Sequence, residues 1–267
     1  MIDAHHHLWD TATREYAWMD GPWADPIRGR FDIARYASAV DAEASVVVQA
    51  VMDESETLEL LAGVASPVAG VVGWTDLTAP EVAERLAELR SAGPLVGIRH
   101  QVQDEPDPEW LTRPEVVRGI NAVGAAGLVY DLLVKPPQAA AALDVVRRLP
   151  DVSFVLDHAG KPDIAGGMWE PWATWITDLA ALPNVAVKLS GLVTEARTDW
   201  RPADVLPYAR HVLSAFGPSR TMYGSDWPVC TLAATPGQVS ALAEEALSPG
   251  DRIQVLGETA RLIYGLS

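Results

Sequence analysis

Short apolar runs rich in valine recur along the chain, at residues 2–7, 45–51, 68–74, 95–100, 128–134, 153–157, 185–189 and 220–224. Most are apolar on both faces, as strands of a parallel sheet are when helices cover it. Longer stretches with helical spacing lie between them. Residues 80–92 place Val82, Leu86 and Leu89 on one face, with glutamate and arginine between them. Segments 114–126, 137–149, 171–182 and 202–216 each open with a proline, which favours the first turn of a helix. Eight strands, each followed by a helical segment, predict an α/β protein of the (β/α)8 TIM-barrel type with room for local distortion. A doubly wound open sheet is the alternative. It normally carries a glycine-rich first turn for a nucleotide, whereas this first strand ends in His5-His6-His7.

No linker or composition break interrupts the pattern, so residues 1–267 are read as one domain. The irregular stretch is 8–31, a long loop after the first strand that holds Trp9, Trp18, Trp23, Arg14, Arg28 and Arg30. In a barrel this loop lies over the C-terminal mouth, where sites are built.

Charge narrows the partners. The 20 basic and 36 acidic residues give a formal charge of −16, which repels phosphate backbones and anionic headgroups. Nucleic acid and membrane surfaces are therefore not expected as partners. A single cysteine, Cys230, excludes an internal disulfide and a cysteine-rich metal cluster. No apolar run approaches the ~18 residues of a membrane helix. The start, Met1-Ile2-Asp3, lacks the pattern of a secretory signal, so a cytoplasmic location is expected.

Candidate chemistry concentrates at strand ends. His5 and His7 are two apart on a strand and share a side with Asp3, while His6 points to the helix layer as a packed histidine. The fourth strand ends in Arg99-His100, the sixth in Asp157-His158 and the eighth in Gly224-Ser225-Asp226-Trp227. Histidines and aspartates at the C-terminal ends of these strands converge on one barrel mouth. Lys161, Lys188 and Glu195 fall at or just past strand ends, and Trp9 and Trp227 flank the region. Ser190 and Cys230 lack the surroundings of a nucleophile, since no GxSxG elbow precedes a helix.

The HxH of the first strand, the histidine of the sixth and the aspartate of the eighth resemble the amidohydrolase superfamily. The segments IDAHHHLWD, GIRHQVQDEPD, VLDHAGKP, VKLSGLVTEA and FGPSRTMYGSDWPVC resemble its amidohydrolase-related branch, which contains sugar lactonases and, more distantly, 2-pyrone-4,6-dicarboxylate lactonase. The resemblance implies hydrolysis of a lactone, a cyclic ester. Asp226 would act as general base and then acid, with His5, His7 and His158 polarising the carbonyl. Arg99, His100, Lys161, Glu195, Trp9 and Trp227 are the expected substrate contacts. The scarcity of arginines around the mouth favours a neutral sugar lactone over a dicarboxylate.

No histidine follows the fifth strand, which ends in Val134-Lys135-Pro136. The expectation is that no metal is obligatory, while zinc can occupy His5, His7, His158 and Asp226. Two alternatives remain: a mononuclear-metal hydrolase or decarboxylase of the same superfamily, and a sugar-binding barrel without catalysis. Near the C-terminus, Glu258-Thr259-Ala260 stands where the branch commonly has an Asn-Ala pair, a change expected to affect only packing of the helix on the barrel.

Overall fold

A computed structural model describes residues 1–266. Eight parallel strands follow one another around a single sheet: β1 (Ile2–His6), β2 (Ala44–Val48), β3 (Val68–Gly73), β4 (Leu95–His100), β5 (Val129–Leu132), β6 (Phe154–Leu156), β7 (Val185–Leu189) and β8 (Thr221–Tyr223). A bridge between His6 and Trp227 brings the last strand's extension back to the first. Two backbone bonds fasten this seam, Asp226 N to His5 O at 2.8 Å and His7 N to Trp227 O at 2.7 Å. The expected barrel is therefore present, although β2, β5, β6 and β8 end earlier than their apolar runs do. Beyond those ends the backbone turns into the mouth instead of continuing the ladder.

The helices pack outside: α1 (Ile33–Ala39), α2 (Glu54–Ala62), α3 (Val82–Ala92), α4 (Pro114–Ala125), α5 (Ala139–Arg148), α6 (Trp172–Ala180), α7 (Pro202–Phe216), α8 (Pro236–Ala246) and α9 (Thr259–Tyr264). Their starts are written locally. Pro114, Pro202 and Pro236 take the first turn, where a missing N–H costs nothing. Asp32, Asp53 and Thr235 accept the free amides of Arg35, Ser55 and Gln238. Thr259 donates to the Pro218 carbonyl at 2.8 Å, which ties the start of α9 to the segment leading into β8.

Two apolar layers result. One lies between strands and helices. The other fills the floor of the lumen with Ile2, Ala4, Val46, Val72, Val129, Val155, Ala186 and Met222, plugged from below by Tyr264 and Leu266. The loop 8–31 folds over the top. A short antiparallel ladder joins Trp9–Asp10 to Arg30–Phe31, and Trp9 packs against Tyr16, Trp18 and Phe31.

Strict alternation along β1 fails at one point. Asp3 pairs with Ser45 but His6 with Val47, so two residues of β1, Ala4 and His5, oppose the single Val46. A bulge of this kind turns successive side chains to one side. Ala4 and His5 both face the lumen. Asp3 instead reaches Tyr36 of α1, the ring on which His6 stacks at 3.8 Å. The expectation that Asp3 shares the side of His5 and His7 is thus corrected. His6 is the packed histidine expected, bonded to Ser45 at 3.0 Å.

Candidate active site

Above the apolar floor the lumen is filled by charge. Lys188 of β7 is fully buried, not at the mouth as its place near a strand end suggested. Its Nζ donates to Asp131 Oδ2 at 2.6 Å and to His5 Nδ1 at 3.1 Å, and lies 3.0 Å from Asp157 Oδ1. Arg99 Nη1 donates to Asp157 Oδ2 at 3.0 Å, and Nη2 donates to the Gln49 carbonyl. Tyr264 caps Asp131 from the floor at 2.9 Å. Two cations against two carboxylates make the layer neutral. Burial raises a carboxylate, but Lys188 first and Arg99 after it hold Asp157 well below its ordinary range. Burial and the neighbouring Lys188 hold His5 well below the usual histidine range, so its ring is neutral.

On this layer stand the residues that meet the cleft. Asp226 Oδ1 lies 3.8 Å from His5 Nε2, 3.7 Å from His7 Nε2 and 4.0 Å from His158 Nε2. The imidazoles of His5, in β1, and His7, just beyond it, stand nearly perpendicular and meet Nε2 to Nε2 at 3.2 Å. The sequence pays for this convergence with unusual backbone. Asp226 has φ +57°, and His158, Ala159 and Lys161 have φ of 53°, 50° and 50°. Two glycines make room. A Cβ on Gly191 would come within 2.5 Å of the His158 ring, and one on Gly224 within 2.7 Å of the His5 Cβ.

Hydrogen bonds fix one tautomer outright. His7 Nδ1 lies 2.7 Å from the Val48 carbonyl, which can only accept, so the neutral ring presents a bare Nε2 to the cleft. His158 Nδ1 meets the Ser190 hydroxyl at 2.9 Å. That contact orients His158, and Ser190 is buried behind it. Burial lowers His158 to about 4 and lowers His7 as well. For Asp226 burial acts upward, but the groups beside it, His158 foremost, bring the carboxyl below its ordinary value, so it is ionised at neutral pH. The Cys230 thiol is buried and pushed up, away from nucleophilic use.

The cleft over these groups is open and is lined by His7, Arg99, His158, Asp226 and Lys161, together with Trp18, Gln101, Gln103 and Thr194. Lys161 is joined to Glu195 at 3.5 Å. Three expected contacts lie elsewhere. His100 follows Arg99 on the strand and so faces outward, stacked on Trp110 at 4.0 Å, accepting from Trp74 and donating to Glu105. Trp227 packs against Phe31 and Tyr36. Trp9 is the core of its own loop, with its indole on the Ile27 carbonyl. The tryptophan that does line the cleft is Trp18, anchored at 2.7 Å to the Ala50 carbonyl. Only the crowding of tryptophans in 8–31 signalled it. Gln101 could have been found by parity, two residues beyond Arg99.

The donor set suits zinc. Tetrahedral coordination at zinc–nitrogen distances near 2 Å separates ligands by roughly 3.4 Å, and His5, His7 and Asp226 offer atoms 3.2 to 3.8 Å apart.

Comparison with known proteins agrees with this geometry. The family profile described as amidohydrolase matches residues 2–266. The L-fucono-1,5-lactonase of Burkholderia multivorans is 38% identical over 99% of this chain and 96% of its own length. A crystal structure of a Burkholderia multivorans amidohydrolase with bound HEPES, also 38% identical, superposes with a TM-score of 0.92 over 100% of this chain and 99% of that one. A second crystal form with bound zinc, at the same identity and coverage, gives 0.89. Among the described residues no helix is long and apolar enough to cross a membrane.

Proposed function

The chain belongs to the amidohydrolase family, and we propose that it is a lactonase, a hydrolase that opens a sugar lactone such as L-fuconolactone or L-rhamnonolactone. The observation that carries this is the meeting of an ionised Asp226 with three neutral imidazoles, all within 4.0 Å, beneath an open cleft lined by polar side chains. Likeness to a fucono-lactonase over nearly the whole chain supports the substrate class.

Asp226 takes a proton from water, and the oxygen attacks the lactone carbonyl carbon. The electron pair of the carbonyl moves onto its oxygen, and hydrogen-bond donors at the lumen's top stabilise that oxyanion. When the ring C–O bond breaks, the departing alkoxide takes the proton back from Asp226. His5, Arg99 and His158 are the candidate donors. His7 cannot donate from Nε2 while neutral, so it accepts. Gln101, Gln103, Thr194 and the Lys161–Glu195 pair meet the hydroxyls, and Trp18 offers an apolar face. The net charge of −16 disfavours nucleic acid as a partner, and the single buried free thiol fits a reducing cytoplasm.

A second reading keeps the residues and adds an ion. Two acceptors, His7 Nε2 and Asp226 Oδ1, face each other at 3.7 Å, which a bound cation would satisfy. His5, His7, His158 and Asp226 would hold it. Zinc bound there would supply Lewis acidity toward a carbonyl oxygen or a water. We place the metal-free reaction first because Asp226 is already an ionised base.

The test is acid release from a panel of aldonolactones before and after exhaustive chelation. Turnover that survives chelation is expected. Turnover abolished by chelation and restored by zinc would move the reaction to the ion, and no turnover on any lactone would overturn the reading. In the same assay Asp226→Asn should lose roughly 10²- to 10⁴-fold in kcat while its circular dichroism stays unchanged.

A further inference from the structure

His5, fully buried beneath the cleft, has a complete set of partners for either tautomer. On Nδ1 it meets a donor, Lys188 Nζ at 3.1 Å, and an acceptor, Asp157 Oδ1 at 3.3 Å. On Nε2 it meets an acceptor, His7 Nε2 at 3.2 Å, and a donor, Arg99 Nη1 at 3.4 Å. A neutral imidazole carries one proton, so it uses one pairing or the other.

With the proton on Nε2, Lys188 donates to Nδ1, and Nε2–H donates to His7, whose Nδ1–H donates in turn to the Val48 carbonyl. This relay runs in one direction from the buried lysine to the mouth. With the proton on Nδ1, His5 would donate to Asp157 and accept from Arg99. Three observations favour the first arrangement. Its two contacts are the shorter ones. His7 Nε2, left bare because Nδ1 donates to the Val48 carbonyl, can only accept, so it calls for a proton on the facing His5 Nε2. Asp157 Oδ1, fully buried, is met by the Lys188 ammonium at 3.0 Å but takes no aligned hydrogen bond from the ring, which is the condition expected when Nδ1 has no proton to give.

We propose that Lys188 is a positioning residue that holds His5 as the Nε2–H tautomer, keeping a hydrogen-bond donor aimed at the cleft and opposing capture of a divalent cation by His5. The proton that rests on His7 is the one available to the carbonyl oxygen of a bound ester. A cation can use His5 only after the proton has moved to Nδ1. Asp157 Oδ1, which is 3.3 Å from Nδ1 and ion-paired with Lys188, is the acceptor that then receives it, while Lys188 gives up its bond to the ring. No atom is gained or lost, since one proton changes nitrogen. The tautomer rests on geometry alone. Only its use in turnover depends on the lactonase reading.

Long-range proton–nitrogen correlation spectra of ¹⁵N-histidine-labelled protein test the assignment, with the His5 signals identified by their loss in His5→Gln. In metal-free wild type, Nε2 is expected to be protonated and Nδ1 bare. Titration with zinc should exchange the two. The opposite tautomer in the metal-free protein, or an unchanged Nε2–H once zinc occupies His5, would overturn the proposal. Lys188→Met keeps the stem and removes the donor. In that variant the proton should sit on Nδ1, zinc affinity measured against a chromophoric chelator should rise about 10- to 100-fold, and kcat should fall with little change in KM. Unchanged or weaker zinc binding in a folded Lys188→Met would count against it. Should the variant not fold, the wild-type spectra decide alone. A lactone panel without turnover, together with the expected tautomer, would remove the reaction and leave the tautomer assignment standing.

Discussion

Strands β4 to β8 pair with one another residue for residue, whereas the junctions β1/β2, β2/β3 and β3/β4 each contain a register shift. In the regular part, inward positions follow by counting in twos. Val129 and Asp131, Val155 and Asp157, Ala186 and Lys188, Met222 and Gly224 all rise from the apolar floor to the charged layer. In the shifted part an extra residue resets the count, at Ala4 and His5 in β1, near Ala69 in β3 and near Val96 in β4. The difference assigns each part a task. The regular strands supply Asp131, Asp157 and Lys188 as a fixed bed of charge, and the bulged ones re-aim side chains, which brings Arg99 into that bed and puts His5 and His7 over it.

The comparison can be broken from either side. The largest effect on stability is expected in the regular part. Asp131→Ala leaves Lys188 short of a carboxylate and the Tyr264 hydroxyl without an acceptor. The cost should be about 3–5 kcal/mol, read as a fall in the denaturation midpoint. A loss below 1 kcal/mol would show that the charged layer tolerates rearrangement and is no fixed bed.

Next comes Glu56 of α2, at the mouth end of the shifted part. Its Oε2 accepts from the amides of Ala50 and Val51, and its Oε1 is buried without a partner. Burial raises this carboxyl to about 7, with the two amides acting downward. A folded pKa above the unfolded one means that the folded protein binds the proton more tightly. Stability is therefore full below about pH 4.5 and falls as pH rises to about 7, by about 3 kcal/mol in all. Glu56→Gln keeps an acceptor for the amides and removes the charge. It should raise the midpoint at pH 8 and leave it nearly unchanged at pH 4, and an equal gain at both would refute the assignment.

The smallest effect belongs to the bulge's own support. Tyr36→Phe removes one donor from Asp3 Oδ2 but leaves the Ser225 hydroxyl at 2.6 Å on the same oxygen. About 1 kcal/mol of stability should be lost with turnover unchanged, because Asp3 faces the helices and not the cleft. A large loss of kcat would mean that the bulge is held by this contact and that the shifted part is as finely set as the regular one.

Much of the protein is legible along the chain. The valine-rich runs, the prolines at helix starts and the paired polar residues at strand ends are local signals. They mark the eight strands, the barrel and the convergence of His5, His7, His158 and Asp226. Burial of apolar faces repeats with the geometry of the element that carries them, so a pattern of near neighbours suffices. What only the tertiary structure decided depends on neighbours far apart in sequence. A bulge is set by the facing strand, and it turned Asp3 outward. Outward orientation and a stack on Trp110 took His100 from the cleft, and the fold of the long loop presents Trp18 there instead of Trp9. Lys188 looked like a charge at the rim. It stands inside the barrel because Asp131, Asp157 and His5, brought from three other strands, together replace the water that an isolated ammonium would need.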